Sequence, residues 1–131
     1  MSSPFINLTD PVVFQSFGGD EYWTKVDFPA GSTILKEGED SQDFFYIFSG
    51  SVEITTAMKL LATLGAGDFF GEAALLSDKE RNATVTAVSD TVVLKLSQPK
   101  FEALVLKDAQ AAVGILLGIV KVLNGRLQDR K

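Results

Sequence analysis

Phe70-Gly71-Glu72-Ala73-Ala74-Leu75-Leu76, resumed after Ser77-Asp78-Lys79-Glu80 by Arg81-Asn82-Ala83-Thr84-Val85, ties the fold of this chain to a chemistry. Its small residues let backbone N–H groups close on an anion, Glu72 can accept a hydrogen bond from a sugar hydroxyl, and Arg81 carries a planar guanidinium fork matched to phosphate oxygens. Both charges stand among apolar residues, so each requires a partner: a charge left buried and unpaired costs about 3–5 kcal/mol. The stretch reads as a socket for a phosphate and a ribose. Asp78, Lys79 and Glu80 form a solvated cluster that ends a short helix over 72–76 and turns the chain back towards Arg81.

Around this stretch the chain consists of short β-prone runs at 24–28, 33–36, 44–48, 52–55, 60–64, 84–88 and 92–96, with Gly31, Gly38, Gly50, Gly65 and Gly67 in the gaps. Strands at this spacing, with turn residues between them, predict a mainly β fold, an antiparallel sandwich or jelly roll. Ahead of them, Asp10-Pro11 offers a helix start and Gly18-Gly19 a stop, which predicts a short N-terminal helix within 1–23.

From Gln98 the period becomes helical. Gln98-Pro99-Lys100-Phe101 opens one helix with Pro in its first turn, and Asp108 caps a second that runs to about Asp129. In that second helix the apolar residues of 111–123 cover far more than the ~100° stripe of a surface helix. One face can lie on the β-roll; the remainder is covered either by a second copy of the chain, giving a homodimer through 108–129, or by burial within its own domain. Gly114 and Gly118, four apart, permit close helix approach at about 1 kcal/mol of propensity each.

With 131 residues the chain is read as one domain, divided into an N-terminal helical segment (1–23), a β-roll (24–97) and C-terminal helices (98–131). It has no Cys and no His, which removes disulfides, iron–sulfur clusters, thiolate nucleophiles and the commonest metal ligand and general base. Enzymes of the cupin kind, which share a β-roll, lose their usual metal ligands by the same count. No metal site is expected. A formal charge of −5 argues against a direct nucleic-acid surface, whose footprint is a basic stripe. The plain opening Met1-Ser2-Ser3-Pro4 predicts a cytoplasmic location, and the longest apolar stretch, 111–120, is about half of the ~20 residues a membrane helix needs.

The opening stretch resembles the phosphate-binding cassette of the cyclic-nucleotide-binding domains, the family of the catabolite activator protein, the regulatory subunits of cyclic-AMP-dependent kinase and cyclic-nucleotide-gated channels. That pattern is Phe-Gly-Glu, a small or aliphatic pair, two aliphatics, a variable stretch, then Arg-x-Ala-Thr/Ser-Val, and Phe70-Gly71-Glu72, Leu75-Leu76 and Arg81-x-Ala83-Thr84-Val85 match it within a cassette at 70–85. Ala73 departs from the common Leu or Ile, and Asn82 from the usual Ala, Ser or Thr. The resemblance implies an antiparallel β-roll, with Glu72 on the ribose 2′-hydroxyl, Arg81 on an exocyclic phosphate oxygen, and the backbones of Gly71, Ala73, Ala74 and Ala83 on the rest.

The resemblance also implies a regulatory sensor, not an enzyme. Its expected ligand is cyclic AMP, with cyclic GMP the second candidate, since Asn82 stands where a Thr reads guanine in some relatives and can itself donate and accept. Val52 and Leu61 are candidates for the apolar wall against the purine. In the family the last helix closes over the base as a lid, which points to Leu123, Arg126 and Leu127. Arg126 either stacks on the purine or is a solvated cation favoured by the helix dipole. Two alternatives stay open: a ligand-free β-roll that serves as an interaction module, and an excerpt of a larger regulator or channel.

Overall fold

The computed structural model describes residues 21–39, 43–57, 59–71 and 83–129, with side chains described as far as Val120 in the last helix. The expected N-terminal helix between Asp10-Pro11 and Gly18-Gly19 and the expected 72–76 helix both lie outside these residues. Among the described residues, eight strands, β1 (Thr24–Phe28), β2 (Thr33–Leu35), β3 (Asp43–Ser49), β4 (Ser51–Thr55), β5 (Leu60–Gly65), β6 (Phe69–Phe70), β7 (Thr84–Ala87) and β8 (Thr91–Ser97), precede two helices, α1 (Gln98–Lys107) and α2 (Ala109–Asp129). All strand pairs are antiparallel and form two four-stranded sheets, ordered β1-β8-β3-β6 and β2-β7-β4-β5. This is the antiparallel two-sheet architecture that the run spacing predicts, and the β-roll that the resemblance implies.

The two sheets differ in how they are covered. In β3 the four residues Phe44, Phe45, Tyr46 and Ile47 are all buried, which a strand can do only when both of its faces are packed. Phe45 and Ile47 point into the roll with Leu35, Val52, Leu64, Phe70, Val85 and Val93. Phe44 and Tyr46 face the other way, into a second core with Trp23, Phe69, Leu96, Leu104 and Ile115. In the second sheet, β4 and β5 instead alternate between the roll interior and a more exposed outer face, so they carry polar residues such as Glu53 and Thr63 between Val52, Ile54, Ala62 and Leu64.

The helices sit on the doubly buried sheet. Ser97 caps α1, its Oγ accepting from the Lys100 N–H, and Pro99 lies in the first turn where its missing N–H costs no hydrogen bond. Asp108 separates the helices as expected: its Oδ1 accepts from the Ala111 N–H at 3.1 Å. Helix α2 buries Ala111, Ala112, Ile115 and Ile119 in the aromatic core, while Val113 and Val120 are 51% and 60% exposed. One face of the helix is thus inside its own domain, and a second apolar face is left in water. Among the described residues no helix is long and apolar enough to cross a membrane.

The two-residue strand β6 was not separable in the sequence from the motif that follows it. Its residues enter different cores. Phe69 packs on Phe44 at 5.5 Å between ring centroids, whereas Phe70 stacks on Phe45 at 5.0 Å and 15°.

Candidate functional site

Strand β6 delivers the chain to the motif. Phe70 is held inside the roll by its stack on Phe45, and Gly71 directly after it has φ 77°, a left-handed conformation that residues with a Cβ rarely adopt. The motif's other end is equally fixed. Ala83 precedes Thr84, which lies opposite Thr55 on β4, and Val85 lies opposite both Ile54 on β4 and Leu35 on β2. Phe70 and Val85 belong to the same core, so the two ends of the motif are rooted in one packed interior. Glu72, Ala73, Ala74, Arg81 and Asn82 lie outside the described residues. Leu123, Arg126 and Leu127 fall within α2, beyond the side chains described.

The two candidate wall residues occupy different settings. Val52 is 0% exposed, deep in the roll opposite Leu64 and Ala87, and at the far end of β4 from the motif. Leu61 is 45% exposed and sits in a β-bulge: Thr55 lies opposite Leu60 and Ile54 opposite Ala62, which leaves Leu61 as the extra residue. Ile54, next to the Thr55 that pairs with Thr84, and its cross-strand partner Ala62 form a further apolar surface beside the start of β7. Ile54 and Ala62 are partly buried, pack against the roll core, and face each other across β4 and β5, with Val85 on Ile54's other side. Strict alternation from Val52 reaches Ile54, and the same alternation from Leu64 reaches Ala62; the bulge lies beyond both, at Leu61.

A turn from the other sheet edge closes on the same region. After β2 the Glu39 N–H donates to the Lys36 carbonyl at 3.0 Å, Glu39 Oε1 accepts from the Lys36 N–H at 2.9 Å, and the Glu37 N–H donates to Thr84 Oγ1 at 2.9 Å. The opposite end of the roll is closed differently. Gly50, with φ 94°, brings the β3–β4 turn so close to the β7–β8 turn that a Cβ there would lie 2.5 Å from the Asp90 carbonyl oxygen. Thr91, buried among these turns, donates from Oγ1 to the Ser51 and Ser89 carbonyls, Ser89 Oγ accepts from the Ser51 N–H, and Asp90 Oδ1 accepts from the Ala30 N–H.

Lys107 pairs with Glu21 at 3.5 Å on the helical side, with both side chains largely exposed, where such pairs contribute little. No cluster of potential metal ligands occurs among the described residues.

The match to known proteins agrees with this architecture. The model of the cyclic nucleotide-binding domain matches residues 25–108, more than half of the chain, and the chain belongs to that family. The cAMP-dependent protein kinase regulatory subunit of Debaryomyces hansenii is 43% identical over 75 residues, covering 56% of this chain and 17% of that protein. The cAMP-activated global transcriptional regulator CRP of Haemophilus influenzae is 33% identical over 108 residues, covering 78% of this chain and 46% of that protein. This chain thus spans less than half the length of either relative. Among solved structures, the Thermus thermophilus catabolite activator protein superposes with a TM-score of 0.70 at 26% identity, over 98% of this chain and 60% of that one. A structure from work on a cyclic-GMP-dependent signalling pathway in bacterial phytopathogenesis also reaches 0.70, at 27% identity, over 92% and 96% of the two chains.

Proposed function

We propose that this domain is a non-catalytic sensor that binds a cyclic mononucleotide between Gly71 and Ala83, with cyclic AMP held more tightly than cyclic GMP. The observation that carries the proposal is the way the fold roots both ends of the Gly71–Ala83 motif in one core, with Gly71 in the left-handed conformation a close backbone approach needs. In this reading Glu72 accepts from the ribose 2′-hydroxyl, the Arg81 guanidinium takes a phosphate oxygen, and the backbone amides of Gly71, Ala73, Ala74 and Ala83 complete the anion site. The purine lies on the apolar surface of Ile54 and Ala62, with Leu61 at its margin and Val52 beneath.

The preference for cyclic AMP is supported by the names of the kinase subunit and the transcriptional regulator; the neighbour from a cyclic-GMP pathway makes the base the part to be measured. Occupancy is relayed through the C-terminal helices. Phe69 lies in the core that α1 and α2 share, and its neighbour Phe70 leads into Gly71, so movement at the motif and movement at the helices act on consecutive residues. Leu123, Arg126 and Leu127 form the lid in this reading, and the exposed face at Val113 and Val120 takes a second copy of the chain. The cytoplasm is its place of work.

Heating the protein with and without nucleotide tests the proposal. Ligand at 100 times its dissociation constant adds about 2.7 kcal/mol of stability, which raises the unfolding midpoint. Cyclic AMP should give the larger rise at equal concentration. No rise at millimolar cyclic AMP or cyclic GMP favours the ligand-free interaction module instead.

A further inference from the structure

Thr84 is the residue at which the motif rejoins the sheet: it follows Ala83, stands three positions after Arg81 and opens β7. Its backbone is placed by pairing with Thr55, so the sheet asks nothing more of it. Its side chain nevertheless makes a long-range bond. Thr84 Oγ1 accepts from the Glu37 N–H at 2.9 Å, across 47 positions of sequence. Glu37 is the second residue of the 36–39 turn, whose own hydrogen bonds engage the amides of Lys36 and Glu39. Gly38, the third residue, has φ 87°, whereas no described non-glycine residue has positive φ, and this is the pattern of a type II turn. The amide of the first central residue, Glu37, goes to Thr84.

We propose that Thr84 is a positioning residue for the nucleotide site: its hydroxyl fastens the 36–39 turn to the start of β7 at Ala83-Thr84, the point where the motif rejoins the sheet. The inference rests on the nucleotide reading above. A guanidinium fork recognises a phosphate by geometry, and any freedom left in the segment that carries it must be removed at the moment of binding, which weakens affinity. Glu37 lies on an exposed turn, where water can replace a lost acceptor. Removing the hydroxyl therefore costs the fold little, and the loss falls on the placement of Arg81.

Four single variants separate this role from a packing role. Thr84→Val keeps the shape and removes the acceptor, and Thr84→Ser keeps the acceptor. Glu37→Pro removes the donor at the second position of a type II turn, where Pro is favoured, and Glu37→Ala keeps the donor. By isothermal titration Thr84→Val and Glu37→Pro should each bind cyclic AMP about two- to twelve-fold more weakly, while Thr84→Ser and Glu37→Ala match the parent. The double variant Thr84→Val/Glu37→Pro should be no weaker than either alone, because both remove the same bond. Without nucleotide, amide exchange at residues 81–83 should quicken in Thr84→Val and return to the parent rate in Thr84→Ser. Equal affinities for the Val and Ser variants would overturn the inference. A parent that binds no cyclic nucleotide would sink the reading of the site, and the exchange comparison then decides the anchor alone: unchanged rates in Thr84→Val overturn it. Should Glu37→Pro not fold, the Val and Ser pair carries the test.

Discussion

At one end of the roll Gly50 lets two turns touch so closely that an added Cβ would meet the Asp90 carbonyl at 2.5 Å, and Ser51, Ser89, Asp90 and Thr91 satisfy one another and the neighbouring backbone. At the other end Gly71 takes a similar left-handed conformation, yet it opens into the Gly71–Ala83 motif, beside partly buried Ile54 and Ala62 and exposed Leu60 and Leu61. The same backbone freedom serves internal closure in one place and, on our reading, closure on a ligand in the other. Mutations at the two ends should therefore separate stability from affinity.

The largest expected effect is on affinity, at the open end. Arg81→Ala should weaken cyclic-AMP binding by about thirty- to several-thousand-fold, since truncating one member of a desolvated charge pair costs about 2–5 kcal/mol or more. The urea midpoint of the nucleotide-free protein should barely move, and a large fall in that midpoint would break the comparison. Gly50→Ala is the converse. Forcing a side chain into the left-handed region costs about 1–2 kcal/mol and overpacking a further 1–3, so unfolding in urea should show a loss of about 2–5 kcal/mol. The fraction that remains folded should bind cyclic AMP like the parent, and a matching loss of affinity would show that the two ends are not independent.

A smaller effect is expected from the helix. Cutting after Val120 removes Leu123, Arg126 and Leu127 but spares Ile115 and Ile119, which are buried in the aromatic core. Affinity should fall about 5- to 150-fold, the range of a typical coupling of 1–3 kcal/mol, because Arg81 and Glu72 remain. Unchanged binding in a folded truncation would make the helix core filler or a dimer contact and end the relay.

Most of the frame could be read from the residues, and the reasons for the remainder are physical. The run at 24–28 coincides with β1, whereas β3, β4, β5 and β8 extend into Asp43, Ser49, Ser51, Gly65, Thr91 and Ser97. Pairing continues through polar and small residues that hydrophobic alternation does not mark. Strand β6 has two residues, too few for any period, and its two Phe side chains enter opposite cores. The phase of β5 beyond Ala62 is not legible in one strand's sequence, because the bulge that leaves Leu61 as an extra residue is set by the register between β4 and β5. The bond from Glu37 to Thr84 joins segments 47 positions apart and has no local signature.

A crystal structure of the protein grown with cyclic AMP tests the central claim most directly. The account predicts one nucleotide per chain, its phosphate between the Arg81 guanidinium and the backbone that follows Gly71, its ribose 2′-hydroxyl on Glu72, and its purine against Ile54 and Ala62. A nucleotide bound at the Gly50 end or on the outer face of the helices, with Arg81 and Glu72 not touching it, would contradict the account.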